Sequence, residues 1–257
     1  MSDRLRHDRS YRGWLTGILI AAAILWAGSG SDVELSRLIE AGPRLAAFLG
    51  RMFPPDLSVW PEVQKGILET LRIAILGTFG SVVASCILGP LAADTISPKW
   101  INRPVRLLLA LMRSIPLILI AMLMVGAVGL GPLPGILAIT FHATGMLAKF
   151  YAEAIEDVNQ TPVDALESAG ATLLQKLRYG IWPQMAPTIL RDTIFRFELN
   201  LRESLVLGVV GAGGIGFLIQ TYVRSFQYEK TATVAIAIAF VILALEWINT
   251  IVRRMFR

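Results

Sequence analysis

The chain has 257 residues, 54% of them hydrophobic and 17% charged, with a net charge of +5, a pI near 9.7 and a mean hydropathy of +0.60. A soluble domain carries about 25% charged residues, so the apolar excess is more than one water-soluble core can bury and points to lipid as the solvent. The basic balance fits lysines and arginines gathered at cytoplasmic helix ends better than nucleic-acid binding, while one cysteine, Cys86, excludes an intramolecular disulfide and two histidines, His7 and His142, exclude a metal cluster of ordinary spacing.

A spanning helix needs about 20 mostly apolar residues, and apolar stretches occur at 14–27, 67–93, 105–130, 133–151, 185–219 and 231–251. The first follows Arg4, Arg6, Arg9 and Arg12 and runs into Gly28-Ser29-Gly30-Ser31. A secretory signal and an uncleaved first helix share that pattern; the later spanning stretches, which need no such signal, favour the helix. Residues 33–53 place Leu35, Leu38, Ile39, Leu45 and Phe48 at helical spacing. This predicts an interfacial helix on the outer face, ended by Phe53-Pro54-Pro55-Asp56. The stretch 185–219 exceeds one crossing at about 1.5 Å per residue, and its glycine-rich end is expected to bend or leave the helix.

Orientation follows from the basic residues. With the N-terminus inside, the inner loops hold Lys99, Arg103 and Arg106, then Lys149, Lys176 and Arg178, and the C-terminus holds Arg253, Arg254 and Arg257. In the outer segment 29–66, Arg37, Arg44, Arg51 and Lys65 are offset by Asp32, Glu34, Glu40, Asp56 and Glu62. The expectation is a single all-α integral membrane domain over 1–257 with about six transmembrane helices and both termini cytoplasmic.

The inner segment of about 157–184 is the informative loop. Thr161 can cap a short helix, Pro162 suits its first position, Asp164 stands three residues after the cap, and Gly170 ends it. Pro183 and Pro187 open the next spanning segment. A short helix across the cytoplasmic face is a good shape for docking another protein; an ordinary connecting loop is the plain alternative. No G-x-x-x-x-G-K-[ST] occurs, so this chain lacks the usual phosphate-cradling loop for ATP.

Asp164, Ala165, Gly170 and Pro183 stand in the register of the EAA loop of ABC-importer permeases, which this segment resembles. Asp164 replaces the family Glu, and Gly180 and Trp182 stand where Ile and Leu are usual. The resemblance implies that Asp164, Ala165, Leu166, Glu167, Ala169, Gly170, Ala171 and Pro183 couple the chain to a separate ATPase. Arg113-Ser114-Ile115-Pro116, His142-Ala143-Thr144-Gly145, the run 196–202 and the run 209–217 look like phosphonate-importer permeases, with Glu203 in place of an expected small residue. What this implies is a type I, methionine-permease-like fold and a non-catalytic permease for phosphonate, phosphite, hypophosphite or phosphate in the bacterial inner membrane. It also implies a second copy of the chain, two cytoplasmic ATPase subunits that carry the ATP and Mg, an extracytoplasmic binding protein, and no cofactor in this chain. A permease for another small solute such as methionine, and an ion-coupled secondary transporter, are the competing readings.

Ionisable groups at membrane depth are functional candidates by default. Arg113, His142, Lys149, Arg196, Glu198, Arg202 and Glu203 qualify. At 3.6 residues per turn, about 100° each, Arg196, Asn200 and Glu203 share one face, and Glu198 and Arg202 form an i,i+4 pair on the other. One face can line a path while the other bonds a neighbouring helix; the sequence leaves open which. His142 and Lys149 lie two turns apart and can give a weakly cationic lining, or satisfy a neighbouring helix and reach the surface, respectively. Gly211-Ala212-Gly213-Gly214-Ile215-Gly216 fits G-x-G-x-x-G, but a dinucleotide site needs a preceding strand. These glycines suit either a broken helix lining a cavity or close helix packing.

Overall fold

The computed structural model describes residues 3–29 and 35–255. Residues 30–34, including the expected outer-loop acids Asp32 and Glu34, and the terminal Arg257 lie outside the described residues. Among the described residues there is no strand. The chain forms two compact units, 1–51 and 52–257. The first comprises α1 (Asp3–Ser29), whose apolar part is Gly13–Ser29, and α2 (Leu35–Gly50). α2 is the amphipathic helix read from the spacing. It stops at Gly50, short of the expected end at Phe53, and Arg51 N–H closes onto the Phe48 carbonyl at 3.1 Å.

The second unit holds α3 (Trp60–Ala92), α4 (Lys99–Ser114), α5 (Leu117–Val128), α6 (Pro132–Glu156), α7 (Gln160–Ser168), α8 (Leu173–Gln175), α9 (Trp182–Leu207), α10 (Ile215–Arg224) and α11 (Tyr228–Met255). Among the described residues, four segments are long and apolar enough to cross a membrane: Leu57–Ala92, Pro132–Glu156, Lys176–Arg224 and Tyr228–Trp247. The expected span 105–130 is not one helix. It breaks between α4 and α5, which meet at 89°. Pro116 has no N–H to continue the ladder and holds Ile115 extended (φ −86°, ψ 122°). Counting this pair as one span gives five, one fewer than the six expected; the remaining apolar stretch, Gly13–Ser29, is a shorter apolar helix.

α3 and α6 form the central pair, and small residues let them meet. A Cβ on Gly77 would stand 2.6 Å from Ile139 Cγ2, one on Gly80 2.7 Å from Thr140 Oγ1, and one on Gly89 2.8 Å from Tyr151 Cβ. Lipid supplies no hydrophobic drive between helices, so close backbone approach and van der Waals contact hold them. These contacts also fix the register: Gly77 lies level with Ile139 and Gly89 with Tyr151, so the two helices run in the same direction. α9 runs opposite to α3, with Asn200 beside Thr78 and Ser204 beside Thr70. α4 runs opposite to the second half of α6: Met112 lies against Gly145, and Arg106 bonds Glu156.

Candidate functional site

Three groups of the expected residues are brought to distinct places in the second unit. The first is the segment between α6 and α9. Its helix α7 is capped two residues earlier than expected. Asn159, not Thr161, is the N-cap, and its side chain accepts from Thr161 N–H at 3.0 Å. Asn caps as well as Thr or better, and Pro162 then sits inside the first turn, where no intrahelical bond needs its missing N–H. Val163 is buried and Leu166 partly so. Both rest over Gly180, where a Cβ would come within 3.2 Å of either side chain. Asp164, Ala165, Glu167, Ala169 and Gly170 are exposed.

The end of α7 explains Gly170. Its φ is +78°, in the left-handed region that favours glycine. Gly170 N–H bonds the Glu167 carbonyl at 2.9 Å and Ala171 N–H bonds the Leu166 carbonyl at 3.0 Å, the paired bonds of a Schellman cap. Nothing lies within 4 Å of where its Cβ would be, so the constraint is on the backbone and the space beyond is open.

Gln184, next to exposed Pro183, holds the segment from behind. Its amide donates to the Gly180 carbonyl at 2.6 Å and to the Asn159 carbonyl at 3.2 Å, and accepts from Asn159 N–H at 3.0 Å. Glu167 pairs with Lys176 at 3.1 Å. Neither Asn159 nor Gln184 was singled out by sequence reasoning, since a lone amide carries no spacing signal. Asn159 was legible as a cap-forming residue beside Thr161; Gln184 was not.

The second group is a polar layer where α3, α6 and α9 meet. The Arg196 side chain is only 3% exposed and pairs with Glu203 at 3.0 Å. It also reaches Met146 Sδ at 3.5 Å. Asn200, fully buried, donates to Thr78 Oγ1 at 2.8 Å. The opposite face of α9 carries Glu198 and Arg202, 2.9 Å apart, and Arg202 also reaches Glu246 on α11 at 3.2 Å. The predicted division of α9 into two polar faces therefore holds, but both faces bond neighbouring helices. His142 sits beside the backbone of Met112 and Ile115, at the α4–α5 break, and near Arg196. Ser85 Oγ, His142 Nδ1, Arg196 Nε and Asn200 Oδ1 are buried with no hydrogen-bond partner among the described residues.

Arg113 and Lys149 stand apart from that layer. Both are exposed and line one cavity of about 160 Å³ between α4 and α6. Lys149 pairs with Glu153 at 3.1 Å, and Arg113 Nε donates to the Leu109 carbonyl at 3.3 Å.

The third group is the glycine turn between α9 and α10. Gly211, Gly213 and Gly214 have φ of +86°, +80° and +77°, which explains why glycine recurs there. A helix rather than a strand precedes them, so a dinucleotide site is excluded. The turn also serves close packing: Thr70 Oγ1 accepts from Ile215 N–H at 2.9 Å, and a Cβ on Gly214 would stand 2.7 Å from that oxygen. Both sequence readings of the run thus hold at once. The turn forms one wall of a cavity of about 430 Å³ also lined by Glu62, Lys65 and Glu69.

Residues 81–257 match the family model described as binding-protein-dependent transport system inner membrane component. The phosphite transport system permease protein PtxC of Stutzerimonas stutzeri is 36% identical over 226 residues, 88% of this chain and 82% of that protein. The phosphate-import permease protein PhnE of Mycolicibacterium smegmatis is 36% identical over 224 residues, 87% of this chain and 42% of that protein. Among solved structures, an inward-facing form of the MetNI methionine ABC transporter superposes with a TM-score of 0.66 at 20% identity, covering 79% of this chain and 99% of that one; at that identity the likeness concerns the fold.

Proposed function

We propose a role for this chain from one premise: it belongs to the binding-protein-dependent transport system inner membrane component family. It is the permease subunit of an ATP-driven ABC importer for phosphonate or a related phosphorus oxyanion such as phosphite, hypophosphite or phosphate. The substrate class is supported by relatives named for phosphite and phosphate that align along most of the chain. In this reading two copies of the chain form the pathway in the inner membrane, with both termini cytoplasmic. Two ATPase subunits bind from inside and an extracytoplasmic binding protein delivers the ligand. The chain itself is not catalytic and holds no cofactor; ATP and Mg belong to the ATPase.

The observation that carries the coupling role is α7. Its inner face, Val163 and Leu166, is held by Gly180, and Gln184 ties its start to α9. Its outer face, Asp164, Ala165 and Glu167, is bare, and Tyr179 and Trp182 are exposed close by in sequence. A short helix fixed to a spanning helix and open on the other side can transmit a push. Apolar and aromatic groups left exposed beside it suit a protein partner. The test is to reconstitute the chain with its ATPase and binding protein and measure ATP hydrolysis and uptake against a ligand panel. Stimulation by phosphite, phosphate or an alkylphosphonate is the expected result. Stimulation by methionine alone would overturn the substrate assignment, and uptake without the ATPase would overturn the class.

A further inference from the structure

The cavity between α4 and α6 brings three cationic side chains, Arg106, Arg113 and Lys149, to one opening of molecular size. Its wall includes Arg106, Leu109, Arg113, Lys149, Glu153 and Glu156. Arg106 is already engaged, by Asp94 at 3.0 Å, by Glu156 and by the Ala92 carbonyl at 2.8 Å. Arg113 is different. Its Nε is held by the Leu109 carbonyl, and its terminal nitrogens have no carboxylate within ion-pair distance among the described residues.

The stem of Arg113 is placed by the neighbouring helix. A Cβ on Gly145 would stand 3.0 Å from Arg113 Cγ and 2.9 Å from Met112 Cβ. Glycine at 145 therefore lets the stem lie flat on α6. Lys149, one helical turn further along the same face, lines the same cavity. Its bond to Glu153 is an exposed i,i+4 pair, of the kind that contributes about 0.3–0.5 kcal/mol and exchanges readily. With Arg113 seated at Gly145 and Lys149 one turn beyond that glycine on α6, a guanidinium fork and an ammonium line the same cavity, where both can face one tetrahedral anion. The volume of about 160 Å³ has room for several waters, and so for one such head group.

We propose that Arg113 and Lys149 form a transit site for a phosphorus oxyanion in the cleft between α4 and α6, with Gly145 seating the arginine. The head group comes either from the transported anion or from an inner-leaflet phospholipid. This rests on the reading of the chain as a phosphorus-oxyanion importer, and the flanking Glu153 and Glu156 keep the site weak enough to release what it holds.

The experiment uses the purified complex of the chain with its ATPase, as wild type, Arg113→Gln, Gly145→Ala and the charge-keeping Arg113→Lys. Methylphosphonate is added and its phosphorus resonance is followed for line broadening, and phospholipid retained through purification is read by native mass spectrometry. Arg113→Gln should raise the apparent Kd for methylphosphonate about tenfold, the size of one charge-assisted hydrogen bond. Gly145→Ala should weaken binding in the same direction, and Arg113→Lys should recover part of it. Loss of bound phosphatidylglycerol in Arg113→Gln, with methylphosphonate unaffected, supports the site and assigns it to lipid. If Arg113→Gln does not assemble, Lys149→Gln, whose charge is exposed, carries the comparison. Equal methylphosphonate broadening and equal lipid retention in wild type and an assembled variant would overturn the proposal. Wild-type uptake, measured separately, tests the importer reading, so the two failures are distinguishable.

Discussion

At Arg196 the cost of a buried charge decides the local structure. A guanidinium in the bundle interior needs an opposing charge, and Glu203 two turns away provides it at 3.0 Å. Removing one partner of a buried pair costs about 3 kcal/mol or more, because the other charge is left uncompensated, whereas replacing both by apolar groups can be neutral. Glu203→Ala should therefore lower the thermal midpoint of the detergent-solubilised chain clearly, and adding Arg196→Met should restore most of it. A double variant no more stable than Glu203→Ala would show that the pair is not the interaction lost. The shared face of Arg196, Asn200 and Glu203 is legible in the sequence by helical period alone, but their spacing leaves open whether Arg196 pairs with Glu203 along it. The partners on other helices, Thr78, Met146 and Glu246, are not legible, because the register between helices is set by packing at sites such as Gly77 and Gly89.

Among elements, α7 and the α4–α5 break show where local chemistry speaks and where it is ambiguous. The helix α7, its glycine end and its place between spanning helices were all readable, because Gly170 has one efficient use at a helix C-terminus. Its start was not fixed, because Asn159 and Thr161 are both good caps and the choice falls to the tertiary bonds of Asn159 with Gln184. The break at Ile115 was concealed by an apolar run that continues on both sides of Pro116. At Gly170, valine would put a β-branched side chain at φ +78°, where an L-residue costs about 1–2 kcal/mol and a β-branched one is a genuine outlier. Gly170→Val should leave the chain inserted and assembled but make ATP hydrolysis insensitive to the loaded binding protein. Gly170→Asn, which tolerates that conformation, should keep most of the coupling. Normal ligand-stimulated hydrolysis in Gly170→Val would count against α7 as the energy-transmitting contact.

For the whole molecule, the charges on the outer face of α9 bear on how many copies assemble. Arg202 and Glu246 are 45% and 52% exposed in the single chain. Arg202 is two residues from Asn200, which lies beside Thr78 near the middle of the 33-residue α3, so on the reading of α3 as a span Arg202 stands at membrane depth. A charged group facing lipid there costs about 2.5–3.5 kcal/mol on insertion scales. The cheaper arrangement covers this face with protein or lets it line a wet path. On the role proposed above, α7 is one coupling helix and the chain forms about half of a two-sided pathway, so a second copy is the economical source of the missing wall. We predict an assembly of two permease chains with two ATPases, measurable as the intact mass of the complex. Arg202→Leu should shift that mass toward half-assemblies if the face is a seam between copies. An intact wild-type complex with a single permease chain would exclude the two-copy assembly and require another protein to cover Arg202 and Glu246.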